Sequence, residues 1–138
     1  MASNLLNIES INVRGIRDHQ KRNNVLSWLK KRNADICLIS ETHCHTKKDR
    51  LLWGKEWSNN KDDSIWSLGT NRSKGVAVLF NPELRNRTVS YTDVISDPNG
   101  RFIKLILTIS GVKYRILNLY APNNSKERVN FLSVCMAF

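Results

Sequence analysis

The sequence predicts an α/β fold, built as an α+β sandwich around a mixed sheet. Two short runs, DICLIS at 35–40 and GVAVLF at 75–80, are apolar almost throughout, and a strand of that kind needs both of its faces covered. Helical patterning alternates with these runs in the first half and hairpin patterning dominates the second, the mixture that layered α/β and α+β sandwiches produce.

Each element has its own signal. Residues 5–13 form a first strand with Leu5, Ile8 and Ile11 as its apolar positions, broken by Gly15. A helix follows over 20–32, with Val25, Leu26 and Leu29 on one face. Asp18 stands as its N-cap, and Lys30, Lys31 and Arg32 crowd its C-terminal end, where the helix dipole favours cations. DICLIS is a buried strand. Residues 47–57 form a second, weaker helix, turning Leu52, Trp53 and Trp57 inward. A short strand at 65–68 precedes GVAVLF, which Pro82 ends. Residues 88–95 are polar and β-rich, as an edge strand is. Asp97-Pro98-Asn99-Gly100 is a turn, since proline pre-sets φ at its first central position and the Asn-Gly pair tolerates the conformations that complete it. Residues 101–109 and 112–120 then form a hairpin joined at Ser110-Gly111 and closed by Pro122. A last helix is expected over 124–135, with Val129, Leu132 and Cys135 on one face. Nothing in the chain reads as a repeat, a low-complexity tract or a linker, so residues 1–138 are expected to be a single domain.

Bulk properties narrow the classes. The 138 residues carry 22 Lys+Arg against 12 Asp+Glu, a net charge of +10, which favours a polyanionic partner without separating DNA from RNA or anionic lipid. Three cysteines, an odd number with no CxxC pair, argue against a disulfide framework or a structural zinc site. The first ten residues lack a basic stretch followed by an apolar run, and no apolar run approaches ~20 residues, so neither secretion nor a membrane span is expected and an intracellular location is. Sequons at Asn71, Asn86 and Asn123 are then expected to stay unmodified.

Three predicted strands end in a distinctive polar residue: Asn12, Glu41 and Tyr120, with Asn123 just past the last. In α/β sheets, functional groups gather at the carboxyl ends of strands. Around these points lie INVRGI (11–16), LISETH (38–43) and NLYAPN (118–123), with SKGVAVLF (73–80) and DPNGRFI (97–103) between them. Each motif alone is weak. Together, in order and at these spacings, they make the chain resemble the endonuclease/exonuclease/phosphatase superfamily, and within it the N-terminal part of the endonuclease domains of non-LTR (LINE-type) retrotransposons.

The resemblance implies a four-layer fold of which this chain spans roughly the first half, a domain incomplete at its C-terminal side. It implies divalent-metal-dependent hydrolysis of DNA phosphodiester bonds, with Mg²⁺ or Mn²⁺ as cofactor and DNA as partner; neither a membrane nor an obligate protein partner is expected. Glu41 would supply the metal's carboxylate, Asn12 would hold the site through its amide, and Tyr120 and Asn123 would contact a phosphate oxygen. The family's Gly-Asp-x-Asn and Ser-Asp-His motifs, which position the nucleophile and the scissile phosphate, have no counterpart in 1–138. Arg14 stands where abasic-site repair relatives usually carry an acidic residue, which favours the retrotransposon nicking type.

Plainer readings stand beside these. Glu41 could be a solvated loop residue, Tyr120 a lid on the core, Asn123 an Asx-turn or N-cap residue, and Asn12 a turn cap. Trp53, Trp57 and Trp66 are core candidates before they are base-stacking ones. Lys21, Arg22, Lys30, Lys31 and Arg32 either contact phosphates or form a solvated helix face. His43-Cys44-His45 lacks a second ligand group at zinc spacing and reads as loop. A single sheet layer packed without its second half would expose an apolar face. Two other functions remain open: a non-catalytic nucleic-acid-binding remnant, and a phosphatase or phosphodiesterase of the same superfamily.

Overall fold

In the computed structural model, which describes residues 6–86, 89–121, 125, 126, 128 and 129, the chain opens with β1 (Ile8–Asn12), crosses through helix α1 (His19–Lys31) and returns parallel to β1 as β2 (Ile36–Ser40). Helix α2 (Lys47–Trp57) leads to β3 (Ser64–Ser67), and β4 (Val76–Phe80) inserts antiparallel between β2 and β3. This first sheet has the order β1-β2-β4-β3. A second sheet, β5-β6-β7, is a meander of β5 (Val89–Ser96), β6 (Phe102–Ile109) and β7 (Val112–Leu119).

The helix boundaries derive from side-chain caps. Asp18 accepts the Lys21 N–H at 2.8 Å and starts α1 one residue earlier than its apolar periodicity indicates. Thr46 and Asp49 form a reciprocal capping box at the start of α2, which satisfies N–H groups the first turn leaves without helical partners. Both helices pack on one face of the first sheet around Leu26, Leu29, Trp53, Trp57, Trp66 and Leu79. Trp53, Trp57 and Trp66 are core residues, Trp53 only 2% exposed, whereas Leu52, expected to face inward, is 51% exposed. Truncating a buried tryptophan ring costs about 3–5 kcal/mol.

The other face of the first sheet meets the second. Ile36, Val76, Val78 and Phe80 pack against Ile103, Leu105, Leu107 and Ile116. The apolar runs of β2 and β4 are thus covered on both sides, by helices and by a sheet. This corrects one expectation from sequence: a lone layer with an exposed apolar face does not form. Because β5, β6 and β7 come directly after β4, residues 6–121 supply both sheets of the sandwich, and three layers are built among the described residues.

Smaller differences have local causes. The first strand is shorter than 5–13 and ends at Asn12, whose side chain turns back on the Arg14 N–H at 2.9 Å. β5 is the exposed edge expected, and it carries an irregularity between Thr92 and Ile95, with Asp93 at φ 56, the kind of break that discourages edge-to-edge pairing. Arg22 is buried at 4% exposure and held by Glu56, the Ile16 and Arg17 carbonyls and the Trp53 ring face. It belongs to the core and not to a solvated or phosphate-facing helix surface. The predicted helix at 124–135 lies for the most part outside the described residues, as do Asn123 and Cys135. Among the described residues no helix is long and apolar enough to cross a membrane.

Candidate functional site

The parallel pairing of β1 and β2, with β4 antiparallel to both, brings four segments to one end of the first sheet: residues 13–17 after β1, 41–46 after β2, 68–70 after β3 and 73–75 before β4. Backbone hydrogen bonds tie them together. Gly15 N donates to Glu41 O at 2.6 Å and Ile16 N to Thr42 O at 3.1 Å. Thr42 N donates to Gly75 O and His43 N to Lys74 O, both at 2.9 Å, and Gly69 N donates to Cys44 O at 2.8 Å. The 97–100 turn joins the same end, with Gly75 N donating to Gly100 O at 2.8 Å.

On this frame the Asn12 side-chain amide donates directly to the Glu41 carboxylate. Asn12 has its own orientation fixed, because its Oδ1 accepts the Arg14 N–H. Glu41 is half-buried and sits at φ 55. That left-handed conformation is uncommon for a residue with a side chain and persists where the surroundings impose it. Arg14, His43 and Lys74 share it, at φ 52, 60 and 62, so four side-chain residues with positive φ, Glu41 among them, lie in the loop segments that meet at this end of the sheet.

The loop bearing Glu41 is anchored on both sides. Thr42 is fully buried, and its hydroxyl accepts the Cys44 N–H at 3.1 Å. Gly75, at φ +87, leaves room for that hydroxyl: a Cβ there would lie 2.4 Å from Thr42 Oγ1. Arg17 donates to the His43 carbonyl at 3.2 Å and to Asp49 at 2.7 Å, tying the loop to the capping box of α2. Burial opposes the charge on Asp49, but the Arg17 guanidinium and the Thr46 and His45 N–H groups prevail and hold its carboxyl below the usual range. Burial depresses the His43 imidazole; Glu41 opposes this, and Lys21 and Arg17 add to it. Cys44 closes the back of the loop, its thiol pushed up to about 12 by burial above all.

Tyr120 sits at the same end by another route. Asn118, buried in β7, donates from Nδ2 to the carbonyls of Ile39 at 3.0 Å and Ala77 at 2.9 Å. This fixes the C-terminal end of β7 against β2 and β4, just before Glu41. Tyr120, two residues on, donates its N–H to Arg101 O at 2.7 Å and packs against the core between the sheets. Among the described residues no hydrogen bond joins Tyr120 to Asn12 or Glu41. In the sequence, Asn118 is visible only as the first residue of NLYAPN. Its one signal there is a polar side chain at the inward-facing period of β7, in line with Tyr114 and Ile116.

A metal can be tested against this donor set. A hard cation takes oxygen ligands, and Mg²⁺ is commonly held by one or two carboxylates while keeping several waters. Glu41 fits that pattern: one oxygen is steadied by Asn12 and the other makes no hydrogen bond among the described residues. A closed protein cage does not occur, since no group of three or more His, Cys, Asp or Glu that could hold a metal is found among the described residues. His43-Cys44-His45 is loop, with Cys44 buried and His45 bonded to the Gly69 carbonyl at 3.1 Å.

The chain is similar to known proteins. The model of the Endonuclease/Exonuclease/phosphatase family matches residues 5–133. The chain is 31% identical over 133 residues to the Transposon TX1 uncharacterized 149 kDa protein of Xenopus laevis, covering 96% of this chain and 10% of that protein. It is 29% identical over 131 residues to the DNA repair nuclease APEX1 of Danio rerio, covering 90% of this chain and 38% of that protein. Among solved structures it resembles the AP endonuclease LMAP from Leishmania major with a TM-score of 0.61 at 13% identity, over 91% of this chain and 44% of that one. The chain thus spans less than half the length of each of these proteins, and the likeness to the solved structure is one of fold.

Proposed function

The chain belongs to the Endonuclease/Exonuclease/phosphatase family, and on that premise we propose that it carries the metal- and phosphate-holding part of a divalent-metal-dependent endonuclease that hydrolyses DNA phosphodiester bonds, of the retrotransposon nicking type. The observation that carries the reading is the Asn12 amide seated on the Glu41 carboxylate where β1 and β2 end side by side. Identity to a transposon protein over nearly the whole chain supports the retrotransposon assignment, and Arg14 in place of a second acidic group agrees with it.

In this reading Glu41 holds Mg²⁺ or Mn²⁺. The bound ion would polarise a phosphoryl oxygen and offset charge developing in the transition state. Asn12 keeps the Glu41 carboxylate in one orientation, so no reorganisation is needed when substrate arrives. The Tyr120 hydroxyl donates to a phosphate oxygen, and Asn123, which lies outside the described residues, donates to the same group. Asn12 and Tyr120 supply no general base and the Glu41 carboxylate is assigned to the metal, so their part of the reaction is holding and charge stabilisation. Activation of the attacking water falls to other groups of the complete protein.

The test is nicking of supercoiled plasmid by the complete protein in Mg²⁺. Glu41→Gln is expected to lower the rate by at least about 100-fold, the scale on which single electrostatic contributors act. Nicking at the unaltered rate would overturn the assignment of Glu41. Turnover of inositol phosphates without nicking of plasmid would place the protein among the phosphatases instead.

A further inference from the structure

We propose that Arg14 and Lys74 are a pair of phosphate-backbone contacts that flank Glu41 and seat a DNA duplex across the strand ends. The inference rests on the endonuclease reading and adds to it the residues that grip the polymer.

Their placement is the first support. Arg14 immediately precedes Gly15, whose N–H donates to the Glu41 carbonyl at 2.6 Å, and the Lys74 carbonyl accepts the His43 N–H at 2.9 Å. The two cations therefore stand on opposite sides of the segment Glu41-Thr42-His43. Availability is the second. Arg17, Arg22, Arg32 and Arg101 are each committed to a carboxylate. The Arg14 and Lys74 side chains make no ion pair or hydrogen bond among the described residues, Arg14 being exposed and Lys74 half-buried.

The backbone is the third. Both residues lie in the left-handed region, at φ 52 and 62, and each is followed by a glycine in that region, Gly15 and Gly75. Glycine adopts this conformation freely, whereas L side chains rarely do. At two positions where glycine would serve folding better, the chain carries cations that the fold does not use. Strain of this kind clusters at ligand clamps and active sites.

The chemistry suits a polyanion. A guanidinium can take a phosphate with two parallel N–H groups, and an ammonium meets it as a point charge. The pair would also offset the repulsion between the Glu41 carboxylate and an approaching phosphate.

The strain gives the test its sign. In the full chain, Arg14→Gly and Lys74→Gly are compared with the parent by fluorescence anisotropy on a short labelled DNA duplex in EDTA, over salt from about 50 to 200 mM, and by thermal unfolding. Each variant is expected to bind roughly 3–10-fold more weakly, with the salt slope reduced by about 0.9 per residue. Each is also expected to melt at or above the parent's temperature, because glycine relieves the backbone. Lys113→Ala, exposed at the opposite end of β7, should change neither binding nor slope. Affinity and slope equal to the parent's would overturn the proposal, as would weaker binding seen only together with a lower melting temperature, or a parent that binds no duplex. Glu41→Gln separates the two readings: if it leaves nicking intact the endonuclease assignment fails, whatever the glycine variants do to binding.

Discussion

The side-chain amide of Asn118 in β7 donates to the Ile39 carbonyl of β2 at 3.0 Å, a buried polar stitch between two sheets whose facing side chains are mainly apolar. The same nitrogen reaches the Ala77 carbonyl at 2.9 Å, and Ile39 and Ala77 face each other across the β2–β4 pairing. One buried amide therefore sets the second sheet against the strand that ends just before Glu41. Asn118→Leu should leave both carbonyls short of a partner and destabilise the protein by about 1–3 kcal/mol, measurable by urea unfolding. A destabilisation below about 0.5 kcal/mol would show that the apolar packing sets the two sheets without the amide.

The side-chain amide of Asn12 is directed at the Glu41 carboxylate. Asn12→Ala in the complete protein should lower Mg²⁺-dependent nicking about 10–100-fold and raise the metal concentration needed for half-maximal rate, as loss of a group that orients a metal ligand does. A metal titration of the nicking rate checks it. A lower rate with an unmoved midpoint would place Asn12 on the phosphate instead.

Gly75 and Gly111 separate backbone strain from crowding. Both have φ above +80, but a Cβ on Gly75 meets Thr42 Oγ1 at 2.4 Å whereas one on Gly111 meets nothing within 4 Å. Gly111→Ala should cost roughly 1–2 kcal/mol, the left-handed penalty alone. Gly75→Ala should cost distinctly more, because buried Thr42 must shift and loosen its hydroxyl from the Cys44 N–H. Equal losses on chemical denaturation would refute the crowding argument.

Asp49 makes stability depend on acid. Its carboxyl is held below the ordinary value of 3.8 in the folded chain, so its ionised form contributes stability above that pH and loses it as pH falls through the folded value. Asp49→Asn should therefore destabilise the chain by about 0.5–1 kcal/mol at neutral pH, the scale of a helix cap with a partly exposed ion pair. The gap should close below about pH 3.8. Parallel thermal melts at neutral and acid pH measure it, and a gap independent of pH would exclude the charge as its source.

Cys37 and Cys44 are both free and buried, their thiols pushed up to about 11 and about 12, chiefly by burial. Neither should react with a thiol reagent at neutral pH in the native state, and both should react on unfolding, since the thiolate is the nucleophile. Mass spectrometry of the alkylated sites distinguishes them, and rapid native labelling of Cys44 would mean that the Glu41 loop opens.

Much of this arrangement was legible in sequence because it is local. The apolar runs of β2 and β4, the Asp18 cap, the Asp97 turn and the 101–120 hairpin each announce themselves within a few residues, and the structure places an element at each. Asn12 and Glu41 could be nominated as polar ends of apolar strands. Arg22 could not be told from its neighbours Lys21 and Arg32, because its burial depends on Glu56 and Trp53 in a different helix. Asn118 was hidden for a similar reason: its acceptors lie 79 and 41 residues away.

The sequence by itself determined the kinds of elements, their order, the family and the residue types the site can use, because hydrophobic period, capping and turn chemistry act over a few residues. Tertiary structure decided which strand ends meet, that both sheets arise within residues 6–121, and which cations remain available once the fold has taken its share. Those are matters of register and burial between distant segments, and no local pattern fixes them.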